Sequence, residues 1–309
     1  MAVMLAHDEY DGNVEGKTIS VTSLLRPLKS LALSSRVEES QTDVSWLVDS
    51  RVGTAIHDLL ERSWTRGYRE NLKALGWSDR LIERVKINPS QVEPDDIPVH
   101  VEIRSERRIR DWTVTGKFDL CVNGKLYDLK TNKTYSYITN NSLEDYILQL
   151  SMYAWLNPEI VTEPVGEIMY LFTDFQERMT YTSGYPSSRI VGKTVMLKES
   201  FDTERWIERR LEALEAMLDM PQEHMSDCSP RELWQSKSKW AVYRDLNNRP
   251  ARVLDSQQEA YVYNAAKLNG RGIIQERKGT VKRCHWCPAS AICHQAERLR
   301  ETNQLSDKE

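Results

Sequence analysis

Between Asp49 and Trp64 the apolar side chains fall at Val52, Ile56, Leu59, Leu60 and Trp64, the i, i+4, i+7, i+8 rhythm of an amphipathic helix. A second helix is predicted to start at Ser78, whose hydroxyl suits an N-cap, and to end before Asn88-Pro89. Beyond the proline-marked linker from Pro89 to Pro98 the period drops to two. Apolar and polar residues alternate in three short runs, Val99 to Ile109, Trp112 to Val122 and Leu126 to Lys130, separated by Arg110-Asp111 and by Asn123-Gly124. Asn-Gly between alternating runs signals a hairpin, because both of its residues accept positive φ. A helix is predicted from about Ser142 to Leu156, followed by a buried strand from Gly166 to Thr173. Strand, helix, buried strand implies a right-handed parallel crossover. A further helix, Thr203 to Met220, carries Ile207, Leu211, Leu214 and Leu218 on one face and is closed by Pro221. Residues 1–16 read as a loose polar arm.

Composition narrows the class. The chain has 309 residues, 40% hydrophobic and 28% charged, and 42 basic against 46 acidic side chains give a net charge of −4. That mixture excludes a disordered tail, a collagen-like chain and a bulk-basic binder. No apolar run approaches the roughly 18 residues of a membrane span, and the first residues turn acidic where a signal peptide needs an apolar stretch. The chain therefore reads as cytosolic, with no membrane partner. The expected division is a core with N-terminal helices over 1–220 and a C-terminal region over 221–309 packed on it. Four of the five cysteines lie in that second part, and Cys284, Cys287 and Cys293 fall within ten residues. Such clustering suits metal binding better than a disulfide framework.

The segment GKFDLCVNGKLYDLKTNK, residues 116–133, places two carboxylates and a lysine on hairpin-connected strands. Residues i and i+2 of a strand share a face, so Asp128 and Lys130 point the same way and Leu129 is expected to point into the core. With Asp119 on the partner strand, this makes a hard, oxygen-rich site suited to magnesium or manganese. In phosphodiester hydrolysis a divalent ion polarises the phosphoryl oxygen and an ammonium group steadies developing negative charge. A bare D-x-K triplet is also what a solvated surface hairpin looks like. Gly53 and His57 lie one turn apart on the first helix, with Gly53 expected to let strands or a ligand approach closely. Gln149 and Tyr153, at i and i+4, share a helix face.

In this order the parts G-x-x-x-H, G-x-x-D, D-x-K and Q-x-x-x-Y, over roughly residues 48–175, resemble the RecB-like branch of the PD-(D/E)XK nuclease superfamily. The resemblance implies an α/β restriction-endonuclease-like core, with a mixed central sheet flanked by helices. It also implies His57, Asp119, Asp128 and the main-chain carbonyl of Leu129 as metal ligands. Lys130 is the implied catalytic lysine, and Gln149 and Tyr153 support the site and contact DNA. The implied activity is magnesium- or manganese-dependent DNA cleavage, in exonuclease mode, within recombination, repair or degradation. Recombination or replication proteins are the implied partners. The alternative is a non-catalytic DNA-binding or assembly subunit that keeps the fold, and the presence of Asp119, Asp128 and Lys130 together argues for the enzyme.

Cys284, Cys287 and Cys293 supply three thiolates where a zinc or iron–sulfur site takes four, and Cys228 is the natural fourth. His285 or His294 could replace one of them around zinc. The C-x2-C-x5-C spacing resembles the 4Fe-4S motif of RecB-like exonucleases, whose first cysteine precedes the nuclease core, whereas Cys228 follows it. Zinc stays open for that reason. The stretches starting at Cys228 and Trp240 resemble phage and prophage exonucleases of the same superfamily. Cys121 reads as packing.

For nucleic acid, Arg271 to Arg283 carries five basic residues against Glu276, and Val101 to Lys133 carries eight against five acidic ones. Such stripes can neutralise phosphates. They are equally what a solvated charged face looks like. Trp155, Trp206 and Trp240 are expected to pack rather than stack on bases.

Overall fold

The computed structural model describes residues 17–37, 47–245 and 249–305. The polar arm expected over residues 1–16 lies outside the described residues. Two compact units are present. The first comprises residues 17–25 and 47–213, and the second comprises residues 26–37, 214–245 and 249–305.

In the first unit, strand β1 (Thr18–Ser20) runs into helix α1 (Val21–Leu24), capped by Ser20, whose hydroxyl accepts from Ser23 N. Short helix α2 (Leu28–Ser34) belongs to the second unit. Helix α3 (Val48–Thr65) matches the predicted amphipathic segment, and α4 (Tyr68–Ala74) follows it. On α3, Ile56, His57, Leu60 and Trp64 are among the half-buried positions, whereas Val52 and Leu59 are exposed. The predicted apolar stripe is therefore buried over only part of its width.

The helix predicted from Ser78 stops early. Ser78 caps α5 (Asp79–Arg84), but Val85-Lys86-Ile87 forms β2, paired in parallel with Ile97 to Val99. Two β-branched residues in three favour the strand once an edge is available to pair with. Its inward side joins Leu72, Ile82, Val99 and Val101 in a small core.

Three antiparallel strands carry the predicted alternating runs: β3 (Ile97–Ile109), β4 (Trp112–Val122) and β5 (Lys125–Asn132). The β4–β5 turn is the expected one, with Asn123 at φ 48° and Gly124 at φ 84°. After helices α6 (Thr134–Thr139) and α7 (Leu143–Leu156), strand β6 (Val165–Phe172) lies parallel to β5, as the crossover pattern requires. Strand β7 (Ile190–Met196) pairs antiparallel with β6 and precedes α8 (Ser200–Leu218). Among the described residues the sheet order is β2-β3-β4-β5-β6-β7, with β1 alongside the first half of β4. It is the mixed, helix-flanked α/β sheet anticipated from the sequence. Trp112, Val114, Phe118, Leu126 and Ile168 of the sheet are fully buried, as are Leu150, Met152 and Trp155 of α7.

Gly116 shows how tightly α7 seats on β4. A Cβ there would stand 2.7 Å from Leu156 Cδ1, 3.0 Å from Val21 Cγ2 and 3.1 Å from Tyr153 Cε1. No strand makes the close approach allowed for at Gly53, since among the described residues a Cβ there would meet nothing within 4 Å.

The second unit contains a small antiparallel sheet of β8 (Lys239–Tyr243), β9 (Arg252–Leu254) and β10 (Ile273–Arg277), in the order β10-β8-β9. Helix α9 (Gln257–Leu268), capped by Ser256, packs on it, and α10 (His294–Glu301) follows the last cysteine. The strands β7 to β10 are at most seven residues long, too short for a period of two to stand out in the sequence. No helix among the described residues is long and apolar enough to cross a membrane.

Candidate active site

β3, β4 and β5 carry the acidic groups, while α3 and α7 both pack against this part of the sheet. Asp119 sits near the end of β4 with both carboxylate oxygens engaged. Its Oδ1 lies 3.2 Å from His57 Nδ1, and its Oδ2 accepts from the Leu129 amide at 2.7 Å. One carboxylate thus joins helix α3 to strand β5.

On β5, Asp128 and Lys130 share a face as expected, with Lys130 Nζ 2.8 Å from Asp128 Oδ2. The same ammonium donates to Gln149 Oε1 at 2.9 Å, and Gln149 Nε2 donates to the Tyr153 hydroxyl at 2.9 Å. It also stands 5.0 Å from the centre of the Tyr146 ring. Lys130 is therefore held between a carboxylate, an amide oxygen and an aromatic face. Leu129 is half-buried, not core. The fully buried positions of β5 are Leu126 and Asp128, because helices cover the face that carries the carboxylate.

Glu102 is the residue that the sequence reading did not single out. It lies on β3 at the single gap in the β3–β4 pairing, between Val101↔Leu120 and Ile103↔Phe118, which places it opposite Asp119. Its backbone is left-handed, at φ 53°, a conformation costly for a residue with a Cβ. Its side chain is 9% exposed, with Oε2 2.5 Å from Lys117 Nζ. The other oxygen, Oε1, is buried without a hydrogen-bond partner and lies 3.9 Å from His57 Nδ1. Among the described residues, His57, Glu102 and Asp119 form the group of three whose ligand atoms all fall within 4.8 Å of one another. Asp128 does not join that trio and is instead paired with Lys130.

The electrostatics reflect crowding of like charges under partial burial. Burial pushes the Asp128 carboxyl up to about 6, with Lys130 opposing the shift and Asp119 adding to it. Burial also raises Glu102, against the pull of Lys117. The hydrogen bond to Asp119 raises His57, outweighing burial. Burial acts to lower Lys130, but Asp128 and Asp119 hold it above its ordinary value, so it stays an ammonium. An excess of buried carboxylates, in which Glu102 Oε1 and Asp128 Oδ2 both lack a hydrogen bond and the latter has Lys130 as its ion-pair partner, is the charge distribution that a divalent cation completes. The donor set fits such an ion: one imidazole nitrogen and carboxylate oxygens suit manganese or magnesium.

Cys121 is buried and separate from this cluster, its sulfur 3.7 Å from the Ile160 carbonyl, and burial pushes its thiol up to about 12. It is a packing residue. Trp155 is likewise core, its indole N–H donating to Glu204 at 2.7 Å.

The second unit gathers the other four cysteines. Cys284 is buried with Leu233, Val281, Ala296 and Leu305, and Cys228 and Cys293 pack against that cluster. Cys287 faces Ser30 of α2, Sγ to Oγ 3.3 Å, and interacts electrostatically with Arg26. Cys228 is tied to α10 by a reciprocal pair of bonds with Gln295, at 2.8 and 2.9 Å. Buried Lys29 reaches Asp227 at 2.7 Å, and Arg298 reaches the same carboxylate at 2.6 Å. Burial pushes Cys228 up to about 12 and Cys284 up to about 11, with neighbouring cysteines adding to both shifts. No three of the four sulfurs lie within 4.8 Å of one another.

The order of these parts has a counterpart among known families. A family model described as the PD-(D/E)XK nuclease superfamily matches residues 49–294. The chain belongs to the PD-(D/E)XK nuclease superfamily. The match takes in the whole His57-to-Tyr153 constellation and the cysteines up to Cys293. No curated protein matches the sequence of this nuclease-superfamily chain. Among solved structures, SSO0001 is similar with a TM-score of 0.41 at 17% identity, over 67% of this chain and 79% of its own. An alkaline exonuclease from Laribacter hongkongensis gives 0.28 at 13% identity, over 40% and 60% respectively. A phage-related exonuclease from Haemophilus somnus 129PT gives 0.27 at 15% identity, over 65% and 96%.

Proposed function

We propose that the chain is a magnesium- or manganese-dependent deoxyribonuclease that hydrolyses phosphodiester bonds, acting as an exonuclease of the RecB-like, phage type. The carrying observation is the pairing of two functions on adjacent strands. Asp119 connects His57 to the Leu129 amide, and Lys130 two residues after Asp128 is clamped by Gln149. His57, Glu102 and Asp119, with Asp128 and the Leu129 carbonyl, are the groups that would hold the ion. When bound, a divalent ion supplies charge for the phosphoryl oxygens and acidifies water for attack.

The remaining work falls to the side chains. Lys130, kept charged by Asp128 and Asp119, offers N–H donors to developing negative charge on a phosphate, in a site shielded enough for each bond to count. Gln149 and Tyr153 fix the direction of that ammonium and so act as positioning residues. Lys117 neutralises one oxygen of Glu102 and leaves the other for the ion.

For the second unit we propose a 4Fe-4S cluster on Cys228, Cys284, Cys287 and Cys293. The C-x2-C-x5-C spacing of Cys284, Cys287 and Cys293 supports that reading, with zinc on the same thiolates as the alternative.

The deciding experiment is incubation of the pure chain with end-labelled linear DNA and closed circular DNA, with each metal. Linear DNA should be shortened from its ends while circles survive. Cutting of circles would overturn the exonuclease mode, and inertness toward both with every metal would favour a non-catalytic subunit.

A further inference from the structure

Trp234 and Trp286 stand side by side in the second unit with 50% and 58% of their surface exposed. Their ring centres are 6.2 Å apart and their planes tilted by 54°, so neither ring covers the other. Arg283 lies 4.8 Å over the Trp234 ring, and His285 meets Trp286 edge-on at 5.9 Å. Two neighbouring indoles left this open are unusual for an enzyme surface and point to something that covers them.

The pair is rigidly presented. Trp234 holds a left-handed backbone, φ 50°, which a bulky residue adopts only when its surroundings enforce it. The enforcement is visible: Leu233 is buried, Trp234 N donates to the Arg231 carbonyl at 3.0 Å, and the Leu233 carbonyl accepts from Lys282 N at 3.3 Å and Arg283 N at 3.1 Å. Those last two bonds lock the Trp234 turn to the turn that carries Trp286. With Cys284 buried in the same cluster as Leu233, Trp286 is thrown outward two residues later.

Basic residues flank both tryptophans along the sequence. Lys282, Lys278 and Arg231 are exposed nearby in the chain. The adjacent acid, Glu232, is turned to the Ser229 amide and hydroxyl at 2.8 and 2.9 Å.

We propose that Trp234 and Trp286 form a stacking platform for the bases of single-stranded nucleic acid, with Arg283 and Lys282 meeting the backbone phosphates. Every base has a π-face that an indole can cover, and an adjacent cation suits the phosphate that follows. A duplex hides those faces within its own stack, so the platform selects unpaired strand. The inference rests on the reading of the chain as a DNA-handling protein, but not on cleavage.

The test is fluorescence anisotropy of a labelled oligothymidylate with the full chain in EDTA, over a salt series. Trp234→Ala and Trp286→Ala should each weaken binding about ten-fold, within the range of one base–aromatic stack, with an unchanged salt slope. Trp286→Phe should keep most of the affinity, and Lys282→Ala should lower the salt slope by about 0.7. Affinity for a blunt hairpin duplex should be the same in all of them. Folded tryptophan variants that bind oligothymidylate like the wild type would overturn the platform and leave the patch as a protein-binding surface. Should Trp234→Ala fail to fold, Trp286→Ala and Trp286→Phe decide alone. A wild-type chain that ignores single strands yet degrades linear duplex would overturn this inference while leaving the nuclease reading intact.

Discussion

Glu102 stands directly opposite Asp119 across β3 and β4, and the two occupy the one unpaired position in an otherwise continuous register. A left-handed residue in mid-strand interrupts the ladder there, leaving two carboxylates and His57 facing a common point. Strain of this kind persists only where the surroundings over-determine it.

Glu102→Gln keeps the size of the side chain but removes its charge. Manganese affinity, read by calorimetry or by the electron paramagnetic signal of the free ion, should fall about ten-fold or more, in line with the loss of a metal-supporting carboxylate. The metal-free variant should melt no lower than the wild type. Unchanged manganese affinity would remove Glu102 from the ion's surroundings.

Asp119→Ala and Asp128→Ala should each abolish metal-dependent cleavage of linear DNA with the fold retained. His57→Ala should shift the metal-activation curve to higher concentration. A His57 variant with lower stability but an unaltered metal requirement would make the imidazole a packing group.

Lys130→Met should lose about 10³-fold or more in cleavage rate while binding manganese normally, since it removes a donor to developing charge and no ligand. Gln149→Ala should reduce kcat by less, with KM for DNA nearly unchanged, because it only frees the Lys130 ammonium. Equal losses in kcat and metal affinity would instead make Gln149 part of the ion's support.

The pH dependence has a defined sign. Asp128 has its folded value raised to about 6 from an ordinary 3.8, and His57 is raised above 6.5. Each contributes stability to the metal-free chain that is complete below its ordinary value and is lost as pH rises through the folded one. For Asp128 this loss falls between its ordinary value and about 6. A divalent ion needs both groups deprotonated, so the rise in Tm on adding manganese to EDTA-treated protein should be larger at pH 8 than at pH 5. An equal rise at both pH values would contradict the assigned ligands.

Gly116→Ala should cost about 1–3 kcal/mol by overpacking, because the added methyl meets Leu156, Val21 and Tyr153. Displacement of Tyr153 should carry through Gln149 to Lys130 and lower activity beyond the stability loss. Denaturant melts alongside rates measured well below the melting range separate the two effects.

Replacing any one of Cys228, Cys284, Cys287 and Cys293 by Ser should abolish the brown colour of anaerobically purified protein, which should otherwise carry about four irons per chain. Colourless protein with one zinc would replace the cluster by a zinc staple.

Much of the strand region that carries the candidate site was legible without coordinates. Alternation in three runs, a two-residue turn at Arg110-Asp111 and Asn123-Gly124 set β3 to β5, because a hairpin with a two-residue turn determines which residues lie opposite. Counting back from the first turn puts Glu102 across from Asp119, so even the missed acid was available to local geometry. It went unnoticed because a glutamate in an alternating strand looks like any solvent-facing residue. The D-x-K pair and the Gln149–Tyr153 contact follow from periods of two and 3.6 alone. Tertiary structure decided the rest. Which side of α3 is buried, and therefore that His57 reaches Asp119, depends on how the helix lies on β3 and β5. Residues 26–37 joining the cysteine-bearing unit, with Ser30 against Cys287, could not be read from a stretch so far away in sequence. Local period reports which face of an element is apolar, whereas the partner that covers it is chosen by long-range packing that no window of residues contains.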